Sequence, residues 1–148
     1  NEHIAPAVQN DPLDIEFLLI GENPPTTSAS NIHSTGFVED LYAVLNIADI
    51  AVVPIMHGGG TKTKLFDYIS LHIPIVANKK ALRGTDIDDS HAVILQNNID
   101  EFAAEVIQLL KDTERRQRLS QNMEQITEEW SWDRSAATLQ EFYMEIFK

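Results

Sequence analysis

The chain has 148 residues, no cysteine, 43% hydrophobic residues and a formal net charge of −12. This length and composition describe one globular domain, and they exclude a disordered chain, a disulfide framework and a cysteine metal site. The acidic balance argues against nucleic acid and against anionic lipid surfaces as partners. No transmembrane segment is predicted, because no apolar run approaches about 18 residues.

Hydrophobic periodicity predicts an alternation of strands and helices along the chain. In chain order, the predicted elements are the end of a helix at 2–9, a strand at 15–20, a helix at 39–46, a strand at 50–53, a helix at 62–71, strands at 75–77 and 91–95, and helices at 99–110, 113–129 and 133–147. The polar stretch 79–90 is predicted to be a loop. The alternation indicates an α/β domain built on a parallel sheet.

The segment 51–77, which reads AVVPIMHGGGTKTKLFDYISLHIPIVA, combines the features expected of a ligand site. Its first apolar run stops at Pro54, and the loop that follows holds three of the six glycines of the chain, Gly58, Gly59 and Gly60. The loop leads into an amphipathic helix and then into a second apolar run, which is the order of one β-α-β unit. In such units the loop after the first strand holds ligands at the carboxyl edge of a parallel sheet.

Positive charge is concentrated around this loop in an otherwise acidic chain. The segment 61–84 contains one carboxylate, Asp67, and five basic residues: Lys62, Lys64, Lys79, Lys80 and Arg83. A helix N-terminus also carries about half a positive charge, and glycines let a ligand approach the backbone closely. These features predict an anion site, most simply for a phosphate or diphosphate. The alternative is a flexible loop followed by solvated lysines.

Two familiar phosphate-binding motifs do not fit the loop. A Walker loop requires lysine directly after its last glycine, whereas Thr61 separates Gly60 from Lys62. The dinucleotide-binding fingerprint would require glycine where Thr63 stands. The acidic stretch 86–89 is interpreted as a solvated loop, and no metal site is predicted.

Several segments fit one family when they are taken in order. They are LLIGENP at 18–24, TGFVEDL at 35–41, ADIAVVP at 48–54, the three glycines with Lys62, Lys64 and Asp67, IPIVA at 73–77, and Trp132 with Asp133 before the last predicted helix. In this order they resemble the C-terminal, nucleotide-sugar-binding domain of the retaining GT-B glycosyltransferases of family 4, also called glycosyl transferases group 1. The resemblance implies a Rossmann-like, doubly wound parallel sheet.

The resemblance also implies the roles of individual residues. Lys62 and Lys64 are expected to be catalytic, because they would neutralise the charge on the leaving nucleotide. Backbone N–H groups of the glycine-rich loop are expected to donate hydrogen bonds to the diphosphate. Asp67 is expected to accept hydrogen bonds from the ribose hydroxyls, and residues 36–38 are expected to line the base. His57 is expected to contact sugar or phosphate, with a solvated side chain as the alternative. The implied donor-binding residues are Gly36, Phe37, Val38, His57, Gly58, Gly59, Gly60, Thr61 and Asp67.

The chain departs from the pattern of the family at three places. Asp67 stands where the family has the longer glutamate, and His72 stands where glycine is usual. The first carboxylate of a spaced glutamate pair has no counterpart, since Met56 and His57 occupy that position. His72 is predicted to be a helix C-terminal residue that interacts with the helix dipole.

The resemblance predicts one domain over residues 1–148, the donor-binding half of a GT-B enzyme, without its first strand and without the N-terminal acceptor domain. The partners expected are a nucleotide sugar and that absent domain, and the chain alone is expected to be inactive. Cytoplasmic placement is implied, with peripheral membrane association through the absent domain left open. The aromatic residues of the last helix are expected to lack a partner, and Trp130 and Trp132 are interpreted as packing residues.

The function predicted from the sequence is donor binding in a retaining hexosyltransferase that uses a UDP-sugar or GDP-mannose. The donor is a substrate, so no cofactor is expected. Two alternatives stay open: a fragment of a GT-B sugar-nucleotide epimerase, and a non-catalytic nucleotide-binding α/β module.

Overall fold

The computed structural model describes residues 4–9, 11–24, 26–27, 29–58, 60, 62–85, 87 and 92–147. Five short strands and six helices are present within these ranges. In chain order they are α1 (Ile4–Val8), β1 (Phe17–Ile20), β2 (Ile32–Gly36), α2 (Leu41–Leu45), β3 (Ala51–Val53), α3 (Thr63–Ser70), β4 (Ile75–Ala77), β5 (Val93–Leu95), α4 (Ile99–Lys111), α5 (Thr113–Glu129) and α6 (Trp132–Ile146).

The strands pair in parallel in two groups, β1 with β2 and β3 with β4 and β5. In the second group Val53 lies opposite Ala77, and Ala77 lies opposite Leu95, so all three strands end at the same edge. Within the described ranges no pairing joins β1 to β3. The predicted parallel α/β architecture is confirmed, and its strands form two adjacent groups.

Helices cover both faces of the β3–β4–β5 group. Successive strand residues point to opposite faces, and in β4 Ile75 and Ala77 belong to one core cluster whereas Val76 belongs to the other. On the first face, strand residues pack against buried residues of α2, α3 and α5, which include Leu45, Leu65, Ile69 and Met123. On the second face they pack against buried residues of α1 and α4, which include Ile4, Val8, Phe102, Val106 and Leu109. This two-sided core confirms the doubly wound, Rossmann-like fold class.

Strand β2 is absent from the sequence-based prediction, which placed no element between the strand at 15–20 and the helix at 39–46. Its sequence, IHSTG, contains one apolar side chain, and His33, Ser34 and Thr35 are all exposed. The strand is held by its backbone pairing with β1, and the N–H of Phe17 donates to the carbonyl of Asn31 at 2.8 Å. An edge strand stabilised in this way carries no apolar alternation, and the turn begins only after Gly36.

Helix α3 ends in a Schellman motif that explains the unusual residue at position 72. The N–H of Ile73 donates to the carbonyl of Tyr68, and the N–H of His72 donates to that of Ile69, both at 2.9 Å. These two bonds require a left-handed backbone conformation at the residue after the C-cap, and His72 adopts this conformation with a φ of 54°. Its carbonyl accepts a hydrogen bond from Ser120 Oγ at 2.6 Å. The predicted location at the helix C-terminus is confirmed.

Replacing His72 by glycine is therefore expected to stabilise the protein. A left-handed conformation costs a non-glycine residue about 1–2 kcal/mol, and the greater freedom of glycine in the unfolded chain offsets part of this gain. We expect a net increase of about 0.5–1 kcal/mol in the free energy of unfolding, measured by urea denaturation.

The matched control is Ser70→Gly, two residues earlier and inside α3. Glycine at position 70 is expected to destabilise the protein by about 0.5–1 kcal/mol, because glycine is a poor helix former. If His72→Gly destabilised the protein as Ser70→Gly does, the backbone conformation of His72 would carry no strain.

Helix α6 contributes no buried residue to the core. Its exposed apolar side chains are Trp132, Leu139, Phe142, Tyr143, Met144 and Ile146. The rings of Phe142, Tyr143 and Phe147 contact one another, and the expectation that a partner outside this chain covers them stays a prediction. Of the helices in the described ranges, none has the length and apolar character needed to cross a bilayer.

Candidate functional site

The glycine-rich loop starts at the carboxyl end of β3 and is shaped by a tight turn at Pro54. The N–H of Ile55 donates to the carbonyl of Val53 at 3.1 Å, which closes a three-residue turn that suits the fixed φ of proline. Because β3 and β4 are parallel and in register, the residues after each strand lie side by side. The loop therefore lies at the sheet edge where the sequence predicts a ligand site.

Two glycines of the loop adopt backbone conformations that other residues rarely adopt. Gly58 has a φ of 102° and Gly60 a φ of 74°. A Cβ on Gly60 would have no other described residue within 4 Å, its neighbours in the chain aside, whereas a Cβ on Gly58 would lie 3.6 Å from Lys62 Nζ. Backbone conformation, not crowding, thus requires glycine here, and the ammonium group of Lys62 lies beside the loop.

The N-terminus of α3 follows the loop and carries two lysines. Lys62 is the N-cap residue, in extended conformation, and its side chain makes no capping hydrogen bond. Lys64 is exposed in the first turn, which contains no acidic residue. Both ammonium groups therefore add to the partial positive charge of the helix N-terminus. An anion beside the loop would meet this charge directly.

Asp67 lies one turn further along α3 and accepts a hydrogen bond from α2. Tyr42 Oη donates to Asp67 Oδ1 at 3.1 Å. The negative carboxylate raises the pKa of Tyr42, because it accepts from the protonated phenol and repels the phenolate. The opposite side of α3 is buried through Leu65 and Ile69, so the helix packs on one face and presents Lys64 and the half-buried Asp67 on the other. The amphipathic helix predicted after the loop is therefore confirmed.

The residues predicted to line the base lie at the carboxyl end of β2. Gly36 ends the strand with a φ of 68°, Phe37 is 71% exposed, and Val38 is half-buried. Helix α2 starts shortly afterwards and is capped by Asp40, whose Oδ1 accepts from the N–H of Ala43 at 2.9 Å. Tyr42 of α2 then reaches Asp67, which connects the predicted base segment to α3.

Three predicted donor-binding residues remain, His57, Gly59 and Thr61. His57 is exposed in the loop. Gly59 and Thr61 lie outside the described residues, as do the acidic residues Asp86, Asp88 and Asp89. Within the part of the chain that the structure describes, no three side chains of metal-binding type come together.

Three residues at the site were not predicted to act there: Tyr42, Asn78 and Lys80. Tyr42 contacts Asp67, and the other two donate to carbonyls of the glycine-rich loop. The position of Asn78 directly after a buried parallel strand was the available signal, since such positions meet at the ligand-binding edge. Lys80 was counted in the basic cluster, but its partner is 24 residues away in sequence. No local pattern indicates the Tyr42 contact.

Taken together, a parallel sheet covered on both faces and a glycine-rich loop that leads into a helix N-terminus define a Rossmann-like α/β domain. Residues 2–112 match the family described as glycosyl transferases group 1, which covers about three quarters of the chain. The chain belongs to this family, as the resemblance predicted. A search of curated proteins found no match.

The family match contains every predicted site residue, from Gly36 to Asp67. It ends at Asp112, the N-cap of α5. The resemblance at Trp132 and Asp133 lies beyond the match and stays a prediction. The structure places Trp130 against the core, with its ring centroid 5.2 Å from that of Phe66, whereas Trp132 is 91% exposed.

Proposed function

We propose that this glycosyltransferase-family domain binds the nucleoside diphosphate of a UDP- or GDP-linked sugar for a retaining hexosyltransferase. One observation carries the proposal: the Lys62 ammonium lies beside Gly58 where the glycine-rich loop enters α3. Helix N–H groups, open backbone and positive charge coincide there, which is the chemistry that a diphosphate requires.

In the proposed mechanism, the loop and α3 stabilise the departing diphosphate. The bond between the anomeric carbon and the diphosphate oxygen breaks, and the oxygen keeps the electron pair. An acceptor hydroxyl then attacks the anomeric carbon on the same face of the sugar, and its proton passes to the departing diphosphate oxygen. Lys62 and Lys64 would neutralise the charge that develops on the diphosphate, and N–H groups of Gly59, Gly60 and Thr61 would donate to it. Preorganised donors and charges lower the barrier because they need not reorient during the reaction.

Asp67 is proposed to accept hydrogen bonds from the ribose hydroxyls. Its Oδ1 already accepts from Tyr42, and a carboxylate offers about four acceptor positions, so ribose would use those that remain. The Tyr42 contact also restricts the rotamer of this short side chain. Phe37, which is 71% exposed at the end of β2, offers an aromatic surface for the base.

The domain is proposed to be the donor-binding half of a two-domain enzyme. A further part of the proposal is that this domain lacks its first strand, and it is supported by the absence, among the described residues, of any pairing between β1 and β3. Sheets of the Rossmann type have the strand order 3-2-1-4-5-6. The observed groups match strands 3-2 and 4-5-6, and the first strand would lie between them.

The experiment is a calorimetric titration of UDP, GDP and inorganic pyrophosphate into the parent protein and Asp67→Asn. We expect the parent to bind pyrophosphate and one of the two nucleotides. Asp67→Asn should weaken binding of the nucleotide by about fivefold, because the amide lacks the negative charge that strengthens hydrogen bonds from hydroxyl groups. Pyrophosphate should bind Asp67→Asn equally or slightly more tightly, since a negative charge near the lysines has been removed.

The control variant is Asp49→Asn, which removes an exposed carboxylate before β3 and should change neither affinity. If Asp67→Asn weakened both ligands equally, Asp67 would support the fold or the lysines and not the ribose. If the parent bound neither the nucleotides nor pyrophosphate, the proposed function itself would be wrong.

A further inference from the structure

The turn that follows β4 holds the glycine-rich loop by two side chains. Asn78, the first residue after β4, donates from Nδ2 to the carbonyl of Ile55 at 2.8 Å. Lys80 donates from Nζ to the carbonyl of Met56 at 2.6 Å. Two consecutive carbonyls of the loop are therefore bound by one neighbouring turn. We refer to Asn78 and Lys80 as the loop clamp.

The loop clamp is itself anchored to the rest of the domain. Asn78 Oδ1 accepts from the N–H of Ala81, a fully buried residue, at 3.2 Å. Since the amide oxygen accepts there, the amide nitrogen is the group that donates to the loop. On the other side of the turn, the N–H of Lys79 donates to Asn97 Oδ1 at 2.9 Å. Through these hydrogen bonds the clamp connects the loop to β4 and to the residues packed around it.

A clamp of this kind matters because the loop is rich in glycine. Glycine loses more conformational freedom on ordering than any other residue, and an unrestrained loop would lose that freedom when the ligand binds. A loop already held before binding avoids this cost. The two bound carbonyls immediately precede His57 and Gly58, so the clamp fixes the segment that leads into the predicted phosphate contacts.

The clamp also affects the electrostatics of the loop. Lys80 compensates the carbonyl dipole of Met56 with a full positive charge, in a charge-assisted hydrogen bond. At the other end of the same short segment, Lys62 Nζ lies 3.6 Å from the Cβ position of Gly58. Residues 56–58 are therefore flanked by two ammonium groups, and the carbonyl of Met56 already has a charged partner.

We propose that Asn78 and Lys80 are positioning residues that hold the glycine-rich loop in its diphosphate-binding conformation. The inference deepens the proposed function and rests on it for the identity of the ligand. The clamp residues act through the loop backbone, and no contact between them and the ligand is required.

The test compares Lys80→Met and Asn78→Asp with Lys79→Met, using pyrophosphate as the probe. Lys80→Met keeps the aliphatic stem and removes the ammonium, and Asn78→Asp replaces the donor to Ile55 by a carboxylate of similar shape. Lys79→Met removes the same charge from an exposed neighbour in the same turn. We expect the two clamp variants to weaken pyrophosphate binding about tenfold and Lys79→Met less than about twofold, because exposed charges are screened.

Equal weakening by Lys80→Met and Lys79→Met would overturn the proposal, since the effect would then be one of net charge. A second measurement, amide hydrogen exchange of the ligand-free proteins, does not depend on any ligand. The amides of His57, Gly58 and Gly60 should exchange about tenfold faster in both clamp variants than in the parent or Lys79→Met, whereas the buried Ile69 of α3 should not change.

The two measurements separate the failure of the clamp from the failure of the proposed function. Unchanged exchange in the loop would show that the clamp does not hold it. Faster exchange at Ile69 and in the loop alike would assign Asn78 and Lys80 to the stability of the whole domain, which also overturns the proposal. A parent protein that bound no pyrophosphate would refute the anion site, while the exchange data would still decide whether the loop is held.

Discussion

The variant Gly60→Val is expected to bind neither nucleoside diphosphates nor pyrophosphate, with an affinity loss greater than about 100-fold. Gly60 has a φ of 74°, and a β-branched residue in this region is strained by about 1–3 kcal/mol. The loop would relieve the strain by moving away from its binding conformation. Among the described residues that are not its neighbours in the chain, a Cβ on Gly60 would meet none within 4 Å. It would extend into the space in which the phosphate is proposed to lie. Titration calorimetry measures the loss.

The matched control for this prediction is Gly21→Val at the end of β1. Gly21 also has a positive φ, 148°, and a Cβ there would likewise meet nothing within 4 Å. The backbone would therefore be strained there too. The N–H of Gly21 donates to the carbonyl of Gly36, in the segment proposed to line the base. Pyrophosphate has no base, so its binding should persist in Gly21→Val. Retention of pyrophosphate binding by Gly60→Val would show that the loop backbone does not approach the anion.

Replacing Lys62 or Lys64 by alanine is expected to weaken binding of the diphosphate by about 1–3 kcal/mol, which is about 5- to 150-fold. Each ammonium group lies at the N-terminus of α3, where the helix dipole adds to its attraction for an anion. The loss should shrink as salt concentration rises, because screening weakens the contribution of the charge in the parent. Titrations of both variants at two ionic strengths measure it.

The control is Arg134→Ala, which removes one positive charge from the exposed surface of α6. It should leave the affinity within a factor of two, since an exposed surface charge is screened by solvent and salt. Unchanged affinity in both Lys62→Ala and Lys64→Ala would identify these lysines as ordinary solvated residues. In that outcome the glycine-rich loop would have to bind its ligand without them.

The central part of the fold could be predicted because burial determines it. Strands β3 and β4 are buried or half-buried on both faces and are therefore continuous apolar runs, AVV and IVA. Helix α3 has a buried stripe through Leu65 and Ile69, and its observed ends differ from the prediction by one residue each. Strand β2 could not be predicted in this way, because backbone pairing with β1 holds its exposed side chains in place. Periodicity also contains no information on which strands are neighbours. The expectation of a missing first strand came from the resemblance, and the absence of pairing between β1 and β3 in the described ranges came from the structure.

The candidate site was predictable where its chemistry is local in sequence. Glycines, lysines and the helix start lie within a few residues of one another, so composition and order were sufficient to indicate the loop. The contacts that support it are long-range: Tyr42 and Asp67 are 25 residues apart, and Asn78 and Ile55 are 23 apart. Such pairs depend on strand register and helix placement, and a single sequence does not specify either.

The packing of Phe66 against Trp130 gives this domain a built-in optical probe. The two ring centroids are 5.2 Å apart, and Phe66 directly precedes Asp67 on α3. The indole of Trp130 is half-buried, whereas that of Trp132 is 91% exposed. A dissolved quencher therefore removes the emission of Trp132 first, and the fluorescence that remains comes from an indole in contact with α3. Any shift of this helix when a ligand arrives changes the surroundings of that indole, so the wavelength of its emission reports the state of the site without an added label.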